Sequence, residues 1–325
     1  MTGRASSPRL VGREEELARL RAAVADAAAG RSRFVLVAGE AGIGKSRLAA
    51  ELVDSPGADV HALVGRCLAI AHGGLPYAPL AGALRRLGRD LDPATLAHVL
   101  GPARADLARL VPDLAAGGRP GSDVPGGAAD RVGRARLFEL LFGFFARLGA
   151  DRPVLFVVED VHWADDATRD LLTYLVANLR AERVALIATL RTDAVGLDPG
   201  FASWLVELAR ASGSERLDLG PLSPEQVTDQ IRAILGSPPR PPLAAAIAAR
   251  SGGNALFVEA LVAAGAGSGL DGVGDTGGSR LPDTLREMLA ARIRDVPPTT
   301  AAVIRVLAVA GRAVDDRLLA AAPGL

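Results

Sequence analysis

Residues 34–52 read Phe34-Val35-Leu36-Val37-Ala38-Gly39-Glu40-Ala41-Gly42-Ile43-Gly44-Lys45-Ser46-Arg47-Leu48-Ala49-Ala50-Glu51-Leu52. The first five are a continuous apolar, β-favouring run suited to a parallel strand buried on both faces. Gly39 to Ser46 fits GxxxxGK[ST], the phosphate-cradling P-loop pattern, and the residues after it are helix formers. Strand, glycine loop and helix stand in the order such a loop requires. The glycines let the backbone turn and bring its N–H groups against phosphates, and the helix presents its positive end to the same anions. Lys45 places a compact charge on the β- and γ-phosphates, and Ser46 offers a hydroxyl to Mg²⁺. The reading predicts an α/β fold of the P-loop NTPase kind, a parallel β-sheet flanked by helices.

Lysine and arginine together number 37, and Lys45 is the one lysine among them. A compositional bias toward arginine accounts for the other cations. The guanidinium is a broad planar fork and a poor replacement for a point charge inside a tight loop. The bias stops where the chemistry forbids it.

A P-loop needs a metal-organising acid on a second strand. Val154-Leu155-Phe156-Val157-Val158-Glu159-Asp160 supplies an apolar run ending in two carboxylates, a Walker B pattern. Pro153 starts it, where a missing N–H is tolerable, and the charges fall at the C-terminal end, where open α/β sheets place their ligands. One carboxylate can orient Mg²⁺ or its water and the other can polarise an attacking water. The usual order makes Glu159 the metal-side group and Asp160 the water-side group, and the sequence permits the exchange. A third run, Val184-Ala185-Leu186-Ile187-Ala188-Thr189, leads into Leu190-Arg191. Its end is expected beside the same phosphates, where Arg191 can sense the γ-phosphate by a bidentate contact and Thr189 can bond a water or a backbone group. The plainer alternative is a surface arginine at a strand end.

The chain has 325 residues and a mass of 33.4 kDa, with 49% apolar and 23% charged residues and a mean hydropathy of +0.24. These values fit two domains, or one with an appendage, and exclude a disordered chain. Basic and acidic residues balance at 37 each, so nothing draws the whole chain to nucleic acid or anionic lipid. No apolar run has membrane-spanning length, and the opening MTGRASSPRLVGREEE has no apolar stretch for a signal peptide. A cytoplasmic protein without membrane contact is expected. Cys67 alone makes no disulfide, and His61, His72, His98 and His162 are too scattered for a zinc site.

Glu14 to Ala29 has apolar residues on one helical face, Val60 to Gly65 reads as a strand, and a helix follows at about Leu80 to Leu87. Residues 115–130 are rich in Gly and Pro and read as a surface excursion. Leu137, Leu140, Leu141, Phe144, Phe145 and Leu148 recur at helical spacing and read as core. Arg131, Arg134 and Arg136 read as a solvated helix face. Asp165 or Asp166 caps a helix over residues 167–179, and His162 is set aside as a catalytic base. Leu217-Asp218-Leu219 reads as a short edge strand ending at Gly220-Pro221, after which the chain turns helical. Ser223-Pro224-Glu225 and Asn254 are helix starts, residues 265–280 are linker-like, and another helix covers residues 282–294.

In order, LVGREEELARL, GEAGIGKSRL, GRCLAIAHGGLPYAPL, VLFVVEDVHWADDAT, ALIATLR, LDLGPLSPEQV and SGGNALFVEAL resemble the AAA-like nucleotide-binding module of STAND signalling ATPases, especially large ATP-binding bacterial regulators of the LuxR type. The resemblance covers most of the chain. It implies an ATP-binding domain over residues 1–212, a smaller helical lid over 213–265, a Gly-rich linker over 266–280 and, over 281–325, the start of a winged-helix-like segment. It implies that Val11, Gly12 and Arg13 approach adenine and that Gly39, Gly42, Ile43, Gly44, Lys45, Ser46 and Arg47 hold the phosphates of ATP or ADP. Ser46 and Glu159 would hold Mg²⁺, with Glu159, Asp160 and Arg191 carrying hydrolysis. The family usually has Pro where this chain has Ala255, which weakens the implied lid contact.

The implied function is a slowly hydrolysing ATP switch of a transcriptional regulator. Its partners would be an inducer or signalling protein, further copies in nucleotide-dependent self-association, and DNA only through a domain not visible in this chain. Two rivals come from other classes. A P-loop kinase or phosphotransferase needs an acceptor motif, and none is recognisable. An origin-recognition-like AAA ATPase acting on DNA needs a basic duplex-facing surface and a complete winged helix.

Overall fold

The structure is a computed structural model that describes residues 6–54, 59–68, 76–114, 128–193, 199–267, 290 and 298–310. The chain divides into two compact units, Arg9–Pro221 and a second formed by residues 1–8 with Leu222 onward.

In the larger unit five strands form one sheet: β1 (Arg33–Gly39), β2 (His61–Arg66), β3 (Val154–Glu159), β4 (Val184–Arg191) and β5 (Ser214–Leu219). The lateral order is β2-β3-β4-β1-β5 and every neighbouring pair is parallel. Parallel neighbours need long crossovers. α1 (Glu14–Ala28) precedes β1, and the connections between strands carry the other helices: α2 (Lys45–Asp54), α3 (Ala78–Asp90), α4 (Pro93–Leu100), α5 (Arg104–Leu110), α6 (Ala128–Asp151), α7 (Asp166–Asn178) and α8 (Pro199–Arg210).

Strand side chains alternate between two cores. Phe34, Leu36, Phe156, Val158, Leu186 and Ala188 join Leu84, Leu141, Phe144, Phe145 and Leu175 on one face. Val35, Val37, Leu155, Val157 and Ile187 join Leu20, Val24, Leu48 and Leu52 on the other. Burial on both faces explains why β1, β3 and β4 read as unbroken apolar runs. The phenylalanine stripe of α6 is core, as its spacing implies: Phe144 and Phe145 are completely buried and Phe145 stacks on Phe156 at 5.4 Å. Truncating such a ring costs about 3–5 kcal/mol.

The expected P-loop NTPase architecture is present, and most expected elements fall within a residue or two of their places. The helix expected at about Leu80 to Leu87 is α3, which starts two residues earlier, at Ala78, behind Tyr77 with φ +59°. Asp165, rather than Asp166, caps α7, accepting from Thr168 N–H at 2.9 Å. One boundary moves. A division after residue 212 gives Ser214–Leu219 to the helical part, whereas this strand is hydrogen-bonded along β1 and the unit runs to Pro221. The segment has one strongly buried alternation, at Leu217 and Leu219, so its length is poorly marked in sequence.

The second unit has α9 (Pro224–Leu235), α10 (Pro241–Ser251), α11 (Ala255–Gly267) and α12 (Pro298–Ala310). Ser223 and Gln226 form a reciprocal capping box, and Asn254 Oδ1 accepts from Leu256 N–H at 3.2 Å. Leu222, Val227, Ile231, Leu243, Ile247, Val258, Leu261 and Val262 form its core. Glu259 accepts from the Ser6 hydroxyl at 3.0 Å and Ser7 N–H at 3.1 Å, which ties the N-terminal segment to α11. Residues 115–127, 268–289 and 311–325 lie outside the described residues. Most of the excursion, of the linker and of the winged-helix-like segment therefore do too, and residues 128–130 of the excursion open α6.

Candidate functional site

The site gathers at the C-terminal ends of β1, β3 and β4, where parallel sheets place ligands. β1 passes through Gly39 into the glycine loop, and α2 begins at Lys45. Gly42 has φ +81° and Gly44 φ +114°, a backbone that side chains rarely adopt. These bends aim the first turn of α2, with its N–H groups, back over the strand end. Ile43, between them, is buried in the core under the loop. Ser46 is exposed and Arg47 half-buried.

The Lys45 side chain is buried and lies along the inside of its own loop. Its Nζ donates to the carbonyls of Gly39 and Glu40, both at 2.8 Å. Arg13 braces the loop from α1's N-terminus, donating to Ile43 O at 3.3 Å and Gly220 O at 2.5 Å and pairing with Glu16 at 3.0 Å. Val11 and Gly12 precede it, half-buried, with Gly12 N–H on Glu14 at 3.3 Å. The resemblance assigns Arg13 to adenine; in the structure its guanidinium joins the phosphate loop to the end of β5.

β4 lies between β1 and β3, so its end separates the P-loop from the acids. Arg191 is in register with Gly39 and Thr189 with Val37. The Thr189 hydroxyl accepts the Asp160 N–H at 3.0 Å, the backbone role that its side chain allows. Arg191 donates to Asp193 from Nη2 at 2.6 Å and from Nε at 3.2 Å.

The two acids face different surroundings. Glu159 is buried, and its carboxylate accepts from Arg66 Nη2 at 2.6 Å and Nε at 3.0 Å. Arg66 stands opposite it at the end of β2, and the carboxylate raises the guanidinium's already high pKa. Asp160 is more open, 3.9 Å from the same Arg66, and has φ +59°. Asp is among the few residues that tolerate this left-handed conformation. It turns the chain into a short 3₁₀ segment, Val161–Trp163, that packs on β4.

That turn carries His162. Both ring nitrogens are shut off from solvent and neither has a hydrogen-bond partner among the described residues. Burial, then the charges of Arg191 and Lys45, push its pKa down to about 4, so the imidazole is neutral at neutral pH. Cys67, beside the same strand ends, has its thiol pushed up to about 12 by burial and by the charges of Asp165 and Asp160. It is an inert core thiol.

The structure brings together Gly39, Gly42, Gly44, Lys45, Glu159, Asp160, Thr189 and Arg191. Two residues join them that motif reading left without a role, Arg66 and His162. Arg66 was visible only as the second residue of GRCLAI, and a strand pairing is needed to put it on Glu159. No group of three or more His, Cys, Asp or Glu side chains among the described residues could hold a metal by itself. A cation here would need phosphate oxygens beside Ser46 and one acid, as Mg²⁺ in such loops does. The donor set fits that arrangement. No helix among the described residues is long and apolar enough to cross a membrane.

The model of the AAA ATPase domain family matches residues 9–187. An uncharacterized protein of Rhizobium meliloti is 30% identical over 247 residues, 71% of this chain and 22% of the relative, so the chain spans under a quarter of that protein's length. Among solved structures, the ORC2 protein of Aeropyrum pernix in its ADPNP–ADP complexes has 13% identity and a TM-score of 0.56, over 97% of this chain and 80% of that one. A Walker-type ATPase of Pyrococcus abyssi has 12% identity and a TM-score of 0.53, over 96% and 87%. At these identities the likeness is one of fold.

Proposed function

The chain belongs to the AAA ATPase domain family, and from that premise we propose that it binds Mg-ATP in the P-loop, hydrolyses it slowly, and serves as the nucleotide switch of a STAND-type regulator of the LuxR kind. The observation that carries the reading is the placement of Lys45 along its loop, with Arg191 in register with Gly39 and the acids one strand further on.

Nucleotide supplies the anion that draws Lys45 Nζ off the carbonyls of Gly39 and Glu40. The N–H groups of the first turn of α2 complement the phosphates, Ser46 and Glu159 would hold Mg²⁺, which would neutralise phosphate charge, and Asp160 polarises the attacking water. Arg191 neutralises charge that develops on the γ-phosphoryl oxygens. Glu159 stands in the structure as an ion pair with Arg66, so Mg²⁺ must compete with a guanidinium for that carboxylate. This competition is one source of slow turnover.

The regulatory part rests on the ordered sequence motifs. The rival that acts on DNA finds little support in the arginine cluster of α6. Arg134 pairs with Asp170 at 2.8 Å and Arg136 lies 3.8 Å from Asp106, which spends that charge on local acids. An inducer or partner protein, and self-association that depends on nucleotide, belong to the same proposal. Titration of a fluorescent ATP analogue with and without Mg²⁺, followed by size-exclusion of the ADP and ATPγS forms, tests it. Mg²⁺-dependent binding with a nucleotide-dependent change in elution supports the switch; binding with no such change leaves a simple ATPase.

A further inference from the structure

Arg13 is only 5% exposed, and its guanidinium holds two backbone carbonyls from distant parts of the chain. Nη2 donates to Ile43 O at 3.3 Å and to Gly220 O at 2.5 Å, and Nη1 pairs with Glu16 at 3.0 Å. Burying a guanidinium is costly unless its charge is paired and its donors are used, and Glu16 and the two carbonyls serve that need. Ile43 stands in the phosphate loop between Gly42 and Gly44, both with positive φ. Gly220 stands one residue before Pro221, where the larger unit ends. Loop and strand end also pack closely: a Cβ on Gly39 would meet Ile43 Cγ2 at 2.9 Å and Leu219 O at 3.0 Å.

The grip has a consequence at each carbonyl. A peptide unit is planar and trans, so its N–H points opposite to its C=O. By holding the carbonyl of Ile43, Arg13 fixes the direction of the Gly44 N–H, and a cationic donor on that carbonyl polarises the peptide and strengthens its N–H as a donor. Arg13 thus acts on a loop donor from outside the loop. At the other carbonyl, Gly220 is under no packing constraint, because a Cβ there would find nothing within 4 Å. Pro221 follows, and Leu222 N–H already bonds Gly253 O within the smaller unit at 2.9 Å. The carbonyl that Arg13 holds therefore lies where the chain leaves the larger unit. The chain enters that unit at Arg9, four residues before Arg13.

We propose that Arg13 is a positioning residue that couples the phosphate loop to the segment Gly220–Leu222, so that filling the loop changes the backbone where the chain leaves the larger unit. The inference rests on the nucleotide-binding reading above and adds a route by which bound nucleotide is felt outside the loop. An anion drawn to the Gly44 N–H shifts the Ile43–Gly44 peptide. Ile43 O and Gly220 O both depend on one nitrogen of Arg13, so a change in one bond alters the other. Glu16 anchors the other arm of the guanidinium.

The test is hydrogen–deuterium exchange of the full chain with and without saturating Mg-ADP or Mg-ATPγS, in the parent, Arg13→Ala and Glu16→Gln, beside nucleotide affinity and thermal melting. In the parent, nucleotide is expected to change exchange both in the phosphate loop and in the segment from Leu217 to Gln226. In Arg13→Ala the loop still responds and the segment does not; in Glu16→Gln the segment responds less than in the parent. Arg13→Ala is also expected to weaken both nucleotides alike, about tenfold, the range for hydrogen bonds to a charged group, because the loop N–H groups cradle phosphates that the two share. A full response of the segment in folded Arg13→Ala, a parent that binds nucleotide without any response there, or weakening of one nucleotide alone overturns the assignment while nucleotide binding itself stands. If Arg13→Ala does not melt cooperatively, Glu16→Gln carries the comparison, and an undiminished response in it overturns the coupling. A folded parent that binds neither nucleotide overturns the underlying reading and this one with it.

Discussion

Arg66 at the end of β2 holds Glu159 at the end of β3 by two hydrogen bonds to one carboxylate oxygen, 2.6 Å from Nη2 and 3.0 Å from Nε. The strand register places the two residues directly opposite one another. The guanidinium is about half exposed and the carboxylate almost buried, so the pair contributes little to stability and much to the charge that a metal meets. Arg66→Ala is expected to lower the Mg²⁺ concentration that half-saturates ATP binding and to shift thermal unfolding only slightly. A rise in that concentration would mean that Arg66 positions Glu159 for the metal instead of competing with it.

Asp160 combines a left-handed backbone, φ +59°, with the carboxylate assigned to the attacking water. Asparagine tolerates the same backbone. Asp160→Asn is therefore expected to keep the fold and ATP affinity and to lose about a hundredfold or more in single-turnover hydrolysis, the range for a general base. A matching loss of melting temperature would assign the residue to structure instead.

Gly65 has no room for a side chain. A Cβ there would lie 1.9 Å from the carbonyl oxygen of Pro79 at the start of α3. Backbone must move to admit it, so Gly65→Ala is expected to cost about 1–3 kcal/mol or more, read as a drop in urea midpoint. Unchanged stability would show that α3 is not seated on β2 as described.

His61 is buried at the start of β2, and burial first, then the nearby Arg152, hold its pKa below the ordinary 6.5, against the opposing pull of Asp151 and Asp59. The unfolded chain then binds a proton more readily than the folded one. The stability contribution is full above about pH 6.5 and is lost as the pH falls through the folded value. In urea melts from pH 8 to pH 5 the parent is expected to lose more stability than His61→Gln. Parallel curves would contradict the assignment.

How far the sequence carried the reading depends on what each feature encodes. β1, β3 and β4 are buried on both faces, so their apolar runs announced them; β5 is an edge strand with a mostly exposed pattern, and its start was misplaced. The strand order β2-β3-β4-β1-β5 is a lateral fact with no local signature, and only that order sets Arg191 between the P-loop and the acids. Lys45, Glu159, Asp160 and Arg191 were legible because motifs are local strings. Arg66 was not, because its partner lies 93 residues away. His162 was weighed only as a catalytic base and set aside, since orphaned ring nitrogens are visible only once the chain is folded.

The most direct test of the central claim is to denature freshly purified protein, identify any released nucleotide by chromatography, and then measure Mg-ATP uptake, with Lys45→Ala and Lys45→Arg in parallel. The account predicts ADP or ATP in the parent, or its uptake when added, and neither in Lys45→Ala. Lys45→Arg fails as well, because the planar fork does not fit where the one lysine of the chain lies between Gly39 O and Glu40 O. A folded parent that is empty and takes up no Mg-ATP would contradict it.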